Sequence, residues 1–82
     1  MTKDEIRRKI GELLADFLEE DKIELADDTV ADDVDGWDSI THMKLVLAVE
    51  SFYGIRFESD EITAPENVGA LVDLIANKCA EK

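Results

Sequence analysis

Cysteine and histidine are almost missing from this chain of 82 residues: Cys79 and His42 are the only ones. One thiol cannot close an internal disulfide, and one thiol with one imidazole cannot build a Cys/His zinc site. Small domains commonly lean on such staples, so this one must rest on packed apolar side chains. A hydrophobic content of 45% is sufficient for that. Apolar runs of membrane-spanning length are also missing, and the opening residues Met1-Thr2-Lys3-Asp4-Glu5 are polar and of mixed charge, unlike a signal peptide. A cytoplasmic setting without stable membrane insertion is expected. Basic residues are scarce, 9 against 21 acids, for a net charge of −12. Nucleic acid is thereby disfavoured as a partner, since phosphate contacts need Lys and Arg, and so are anionic membrane surfaces. Such a field steers the chain towards basic patches on other proteins; it serves solubility equally well.

What is present is a helical period. With one proline, four glycines and no repeat, residues 1–82 read as a single all-α domain. Thr2 and Glu5 form a capping-box pair. Ile6, Ile10, Leu13, Leu14, Phe17 and Leu18 then recur at spacings of three and four, which predicts a first helix over 3–20 with that set on one face. A long connection over 19–38 follows, where Glu19, Glu20, Asp21, Glu24, Asp27, Asp28, Asp32, Asp33, Asp35 and Asp38 face a single base, Lys22. Ile23, Leu25, Val30, Val34 and Trp37 are expected to pin it to the core. So long a loop in so small a domain is a place to look for function. A second helix is expected over Ser39–Tyr53, capped by Asp38 or Ser39 and stopped by Gly54. Ile55-Arg56-Phe57 reads as an extended link. Ser59 is expected to cap a short turn over 60–63 that Pro65 ends. A last helix over Val68–Ala80 follows Asn67, with Val68, Leu71, Val72, Ile75 and Cys79 as its stripe. Three main helices and a short one make a compact bundle.

The second helix carries more apolar surface than one face needs. Leu45, Val46, Val49, Phe52 and Tyr53 form a core stripe, with His42 at its start. Ile40, Met43 and Leu47 form another at i, i+3, i+7. Either the helix is buried all round or the second set is exposed. An exposed stripe marks a contact surface, and Met suits one that accepts several partners. Ser39 opens this helix within Asp-Gly-Trp-Asp-Ser-Ile. A helix start favours an attached phosphate. Asp35 and Asp38 oppose one, unless a divalent cation on Asp38 relieves the conflict during transfer. The bland reading is that Ser39 only caps the helix.

Gly36-Trp37-Asp38-Ser39-Ile40 resembles the Asp-Ser-Leu signature of acyl carrier proteins. Leu45 to Glu50 and Tyr53-Gly54-Ile55 are similar to that family's second helix and its exit, and the helix layout resembles the family over nearly the whole chain. The resemblance implies a four-helix acyl-carrier-like bundle and a carrier without enzymatic activity of its own. A phosphopantetheinyl transferase (holo-carrier synthase) would attach 4'-phosphopantetheine from coenzyme A to Ser39, with Asp38 positioning metal and coenzyme A and no permanent metal held. The arm's thiol would carry acyl groups as thioesters for fatty-acid, polyketide or related lipid biosynthesis. Partners would be acyl-transferring and chain-modifying enzymes with basic docking patches, meeting a monomeric carrier. The family's partner-facing positions match Trp37, Ile40, Met43, Leu47 and Glu50; its acyl cleft matches Val46, Val49, Leu71, Val72 and Ile75. Thr41 and Lys44 stand where fatty-acid carriers commonly have acids, and Trp37 is bulkier than usual, which points to a specialised carrier.

Other readings compete. Asp33-Val34-Asp35-Gly36 resembles an EF-hand loop, but that register puts Ala31 at the first ligand position and His42 at the twelfth. Ser39, His42 and Asp38 could form a nucleophilic set, yet no glycine-rich elbow surrounds them. An aminoacyl or aryl carrier, or an acidic interaction module that is never modified, fits the charge and the stripe.

Overall fold

The computed structural model describes residues 2–81. Four α-helices and one short 3-10 turn make up its regular structure: α1 (Lys3–Leu18), the turn at Ala31–Asp33, α2 (Ser39–Tyr53), α3 (Ser59–Thr63) and α4 (Val68–Ala80). No strand occurs among the described residues. The fold is the all-α bundle expected.

Local chemistry sets most of the boundaries. Thr2 Oγ1 accepts from the Glu5 amide, and the Thr2 amide donates to Glu5 Oε1, closing the capping box on α1. α1 ends two residues before the expected limit, because Glu19 turns left-handed at φ 57° and the Glu20 amide reaches back to the Ala15 carbonyl. Its last turn carries no base, so three consecutive acids meet the negative end of the helix dipole and do not prolong it. Gly54 stops α2 in the left-handed region, and Asn67 Oδ1 caps α4 by accepting from the Ala70 amide. At α3 the expectation fails in detail. Glu58, not Ser59, is the capping residue; its amide donates to Glu61 Oε1, and Ser59 lies within the helix.

α1 packs on both α2 and α4. Ile6, Ile10 and Leu14 of α1, Leu45 and Val49 of α2, and Val68, Val72 and Ile75 of α4 fill the centre at 1% exposure or less. Each such side chain contributes about 1.5–3 kcal/mol of burial, offset by the entropy of ordering the chain. The faces do not follow the periodic pattern everywhere. Phe17, expected in the α1 stripe, is 37% exposed, and Phe52, expected in the α2 stripe, is 58% exposed. The Phe52 ring lies instead beneath the Lys9 ammonium, 4.1 Å from its centroid, with its edge against Tyr53.

The acidic connection is tied down. Ile23, Leu25 and Val34 pack against the core and Trp37 enters it, as expected of loop anchors, whereas Val30, expected to join them, is half-buried and outside that cluster. Its carbonyls also receive the start of α4: the Val68 amide donates to Thr29 and the Gly69 amide to Asp27, both at 2.8 Å. On the other side Gly11 lets the loop lie close against α1, since a Cβ there would sit 2.6 Å from the Ile23 carbonyl oxygen. The loop thus carries its end, Gly36 to Asp38, to the first turn of α2.

Candidate functional site

The site begins with a division of labour between two neighbours. Asp38 has extended backbone and caps α2, its Oδ1 accepting from the Thr41 amide at 2.9 Å. That bond, with a smaller contribution from the Ile40 amide, holds its carboxyl below the ordinary value. Ser39 is therefore the first residue of the helix and not its cap. Its side chain is exposed and its hydroxyl makes no hydrogen bond among the described residues. A free, solvent-facing hydroxyl at the positive end of a 15-residue helix is suited to a covalently attached phosphate.

The chain reaches this corner through a strained turn. Gly36 adopts φ 91°, and a Cβ there would meet Leu18 Cδ2 at 2.8 Å, so only glycine fits. The next residue, Trp37, was expected to face partners. The structure corrects this: its side chain is 8% exposed and belongs to the core, because a large ring between the loop and α2 gains more from burial than from water. The indole Nε1–H donates to His42 Nδ1 at 3.1 Å, with the rings stacked 6.0 Å apart. His42 Nε2 lies 2.8 Å from the Ile62 carbonyl oxygen on α3. Both imidazole nitrogens are thus engaged away from Ser39, and the nucleophilic set of Ser39, His42 and Asp38 does not assemble.

The ambiguity of α2 resolves in favour of an outer stripe. Ile40, Met43 and Leu47 are 69%, 43% and 59% exposed, and they run along the helix from the serine. Lys44 is exposed beside them. Glu50, expected to face partners, is half-buried and accepts the Phe57 amide through Oε2 at 2.8 Å, which fastens the link after α2. Thr41, expected on the same surface as Lys44, is buried instead; it cannot weaken an acidic outer face. Val46, Val49, Leu71, Val72 and Ile75, the positions of the expected acyl cleft, are all 4% exposed or less. They lie within a closed core, so a chain sheltered there must part them.

Among the described residues no three His, Cys, Asp or Glu side chains are gathered to hold a metal ion, and no helix is long and apolar enough to cross a membrane. The links that sequence reasoning missed are tertiary: Trp37 to His42, His42 to Ile62, Glu50 to Phe57, and Lys78 to Glu61 at 2.7 Å.

Residues 8–75 match the family described as phosphopantetheine attachment site. An acyl carrier protein of Petrotoga mobilis is 35% identical over 79 residues, covering 95% of this chain and 92% of that one. An acyl carrier protein of Rickettsia canadensis is 32% identical over 78 residues, covering 94% of this chain and 90% of its own. Among solved structures, the holo acyl carrier protein of Geobacter metallireducens superposes with a TM-score of 0.80 at 36% identity, over 89% of this chain and 84% of that one.

Proposed function

The chain belongs to the acyl carrier protein family, and from that premise we propose that Ser39 is the residue that bears the arm. The protein is a carrier and not an enzyme, and its cofactor is a covalently attached phosphopantetheine. One observation carries the choice of residue. Asp38 takes over the capping of α2, which leaves the Ser39 hydroxyl exposed and unbonded at the helix start. Of the other serines, Ser51 lies in the last turn of α2, and Ser59 opens α3, a helix of only five residues whose capping residue Glu58 makes no side-chain cap bond.

Attachment is a phosphoryl transfer. The Ser39 oxygen attacks the β-phosphorus of coenzyme A, forming a phosphodiester and releasing 3',5'-ADP; the hydroxyl proton passes to a base of the transferase. Asp38 is proposed to help hold the divalent cation of that reaction with its remaining carboxylate oxygen. The acyl group then rides as a thioester on the arm's terminal thiol.

The protein works with enzymes of acyl metabolism. We propose that they are a phosphopantetheinyl transferase and the acyl-transferring and chain-modifying enzymes of fatty-acid, polyketide or related lipid biosynthesis. They dock through basic patches on an acidic, monomeric carrier of the cytoplasm, formed by residues 1–82 as one domain. Ile40, Met43 and Leu47 supply the apolar part of the docking face, and the core positions Val46, Val49, Leu71, Val72 and Ile75 line the space into which a long cargo chain would press. Incubation with coenzyme A and a broad-specificity transferase is expected to raise the intact mass by one arm, and Ser39→Ala to abolish the gain. A gain that persists in Ser39→Ala, or none in the parent chain, overturns the assignment.

A further inference from the structure

We infer that His42 is a positioning residue: it clamps both α3 and the tryptophan of the attachment corner to the first turn of α2. The inference deepens the reading of Ser39 as the attachment point and rests on it only for the transfer assay below.

The donor and acceptor roles follow from the partners. An indole N–H can only donate and a carbonyl oxygen can only accept. With Trp37 Nε1 at 3.1 Å from Nδ1 and the Ile62 oxygen at 2.8 Å from Nε2, the ring must accept at Nδ1 and donate at Nε2. Only the neutral Nε2–H tautomer does both. The segments that meet at the ring carry Asp35 and Asp38 before α2, Lys44 within it, and Glu58, Asp60, Glu61 and Glu66 around α3; Glu61 is already paired with Lys78.

The position of the clamp gives it consequence. Trp37 lies two residues before Ser39, and Ile62 sits in a five-residue helix too short to be stable alone. α3 has few other ties: the Lys78–Glu61 ion pair holds one side and the His42 bond another. Loss of the clamp therefore loosens α3 and the approach to Ser39 together.

The chain of 82 residues carries a single tryptophan and a single histidine, so nuclear magnetic resonance reads both without ambiguity. The Trp37 indole N–H resonance is expected to shift in His42→Gln and to keep its parent position in His42→Asn. At one fixed pH, the α3 amides are expected to exchange roughly 10-fold faster in His42→Asn than in the parent, the effect of one lost hydrogen bond. Two substitutions separate the arms of the clamp. His42→Asn puts an amide oxygen where Nδ1 lies, keeping the indole bond while loosening α3. His42→Gln puts an amide N–H where Nε2 lies, keeping α3 protected while freeing the indole. With coenzyme A and transferase, arm attachment is expected to slow several-fold in His42→Gln and to recover in His42→Asn. An indole resonance that stays still in His42→Gln, or α3 exchange identical in the parent and in His42→Asn, overturns the clamp, and neither reading needs an arm on Ser39. A mass gain surviving in Ser39→Ala refutes the attachment reading and leaves these spectra standing.

Discussion

Leu45 and Leu47 are two residues apart on α2 and chemically identical, but Leu45 is 0% exposed and Leu47 is 59% exposed. Truncating the first leaves a cavity in the shared core. Leu45→Ala is expected to cost about 2–5 kcal/mol, a large part of the roughly 4–12 kcal/mol a domain of this length commands. In a domain this small each kcal/mol moves the melting temperature by about 4–8 °C, so a fall of at least about 10 °C is expected. Leu47 keeps most of its surface in water, so less than half of the roughly 2 kcal/mol of a buried leucine is at stake. Glutamate is a good helix former, and one more acid on a chain of net charge −12 adds a repulsion that physiological salt largely screens. Leu47→Glu is therefore expected to lower Tm by under about 5 °C, followed by circular dichroism and by the fluorescence of Trp37, whose buried ring reports the core. The same variant, loaded with its arm, is expected to lose at least about tenfold in transfer to a partner enzyme, as truncation at an interface anchor does. Leu47→Ala separates lost contact from added charge. If Leu47→Glu unfolds like Leu45→Ala, or is processed by partners like the parent, the outer stripe is not a docking face.

Asp38 divides cap from charge: Asp38→Asn keeps an N-cap acceptor and is expected to preserve the helical signal at 222 nm while slowing arm attachment, whereas Asp38→Ala loses some of both; an unchanged attachment rate in the pair removes the proposed metal role. Because the Thr41 amide holds the Asp38 carboxyl below its ordinary value, the ionised cap contributes fully above the unfolded-state value of about 3.9 and is lost as pH falls through the lower folded one. A pH titration of stability should show the Asp38 contribution vanishing below about pH 4 in the parent and absent in Asp38→Asn. Gly36→Ala meets both a positive φ and the Leu18 side chain and is expected to cost at least about 1–2 kcal/mol, seen as a lower urea midpoint. Glu61→Gln removes the ion pair to Lys78 and is expected to speed amide exchange in α3 with little change in global melting; equal exchange in both proteins refutes the tether.

Much of this molecule was legible in the chain because its stops and starts are local chemistry. The Thr2–Glu5 box, Asp38 before α2, Gly54 after it and Asn67 before α4 act on amides within a few residues, and α2 and α4 fall where those signals place them. The Asp38-Ser39 motif was legible for the same reason: a cap, a helix start and an exposed hydroxyl need no distant residue. The orientation of apolar surface was not legible. Leu45 and Leu47 obey the same helical period, as do Phe52 and Tyr53, and periodicity records an angle around the axis without recording what lies against it. Packing of α2 on α1 left Ile40, Met43, Leu47 and Phe52 outside, turned Thr41 inward and closed the loop over Trp37. It also brought Ile62 to His42 from 20 residues away and gave the Glu50 carboxylate to the Phe57 amide. Local hydrogen bonds are determined by neighbours in sequence; which face meets water, and which histidine meets which carbonyl, depends on how helices of one small bundle share a single core.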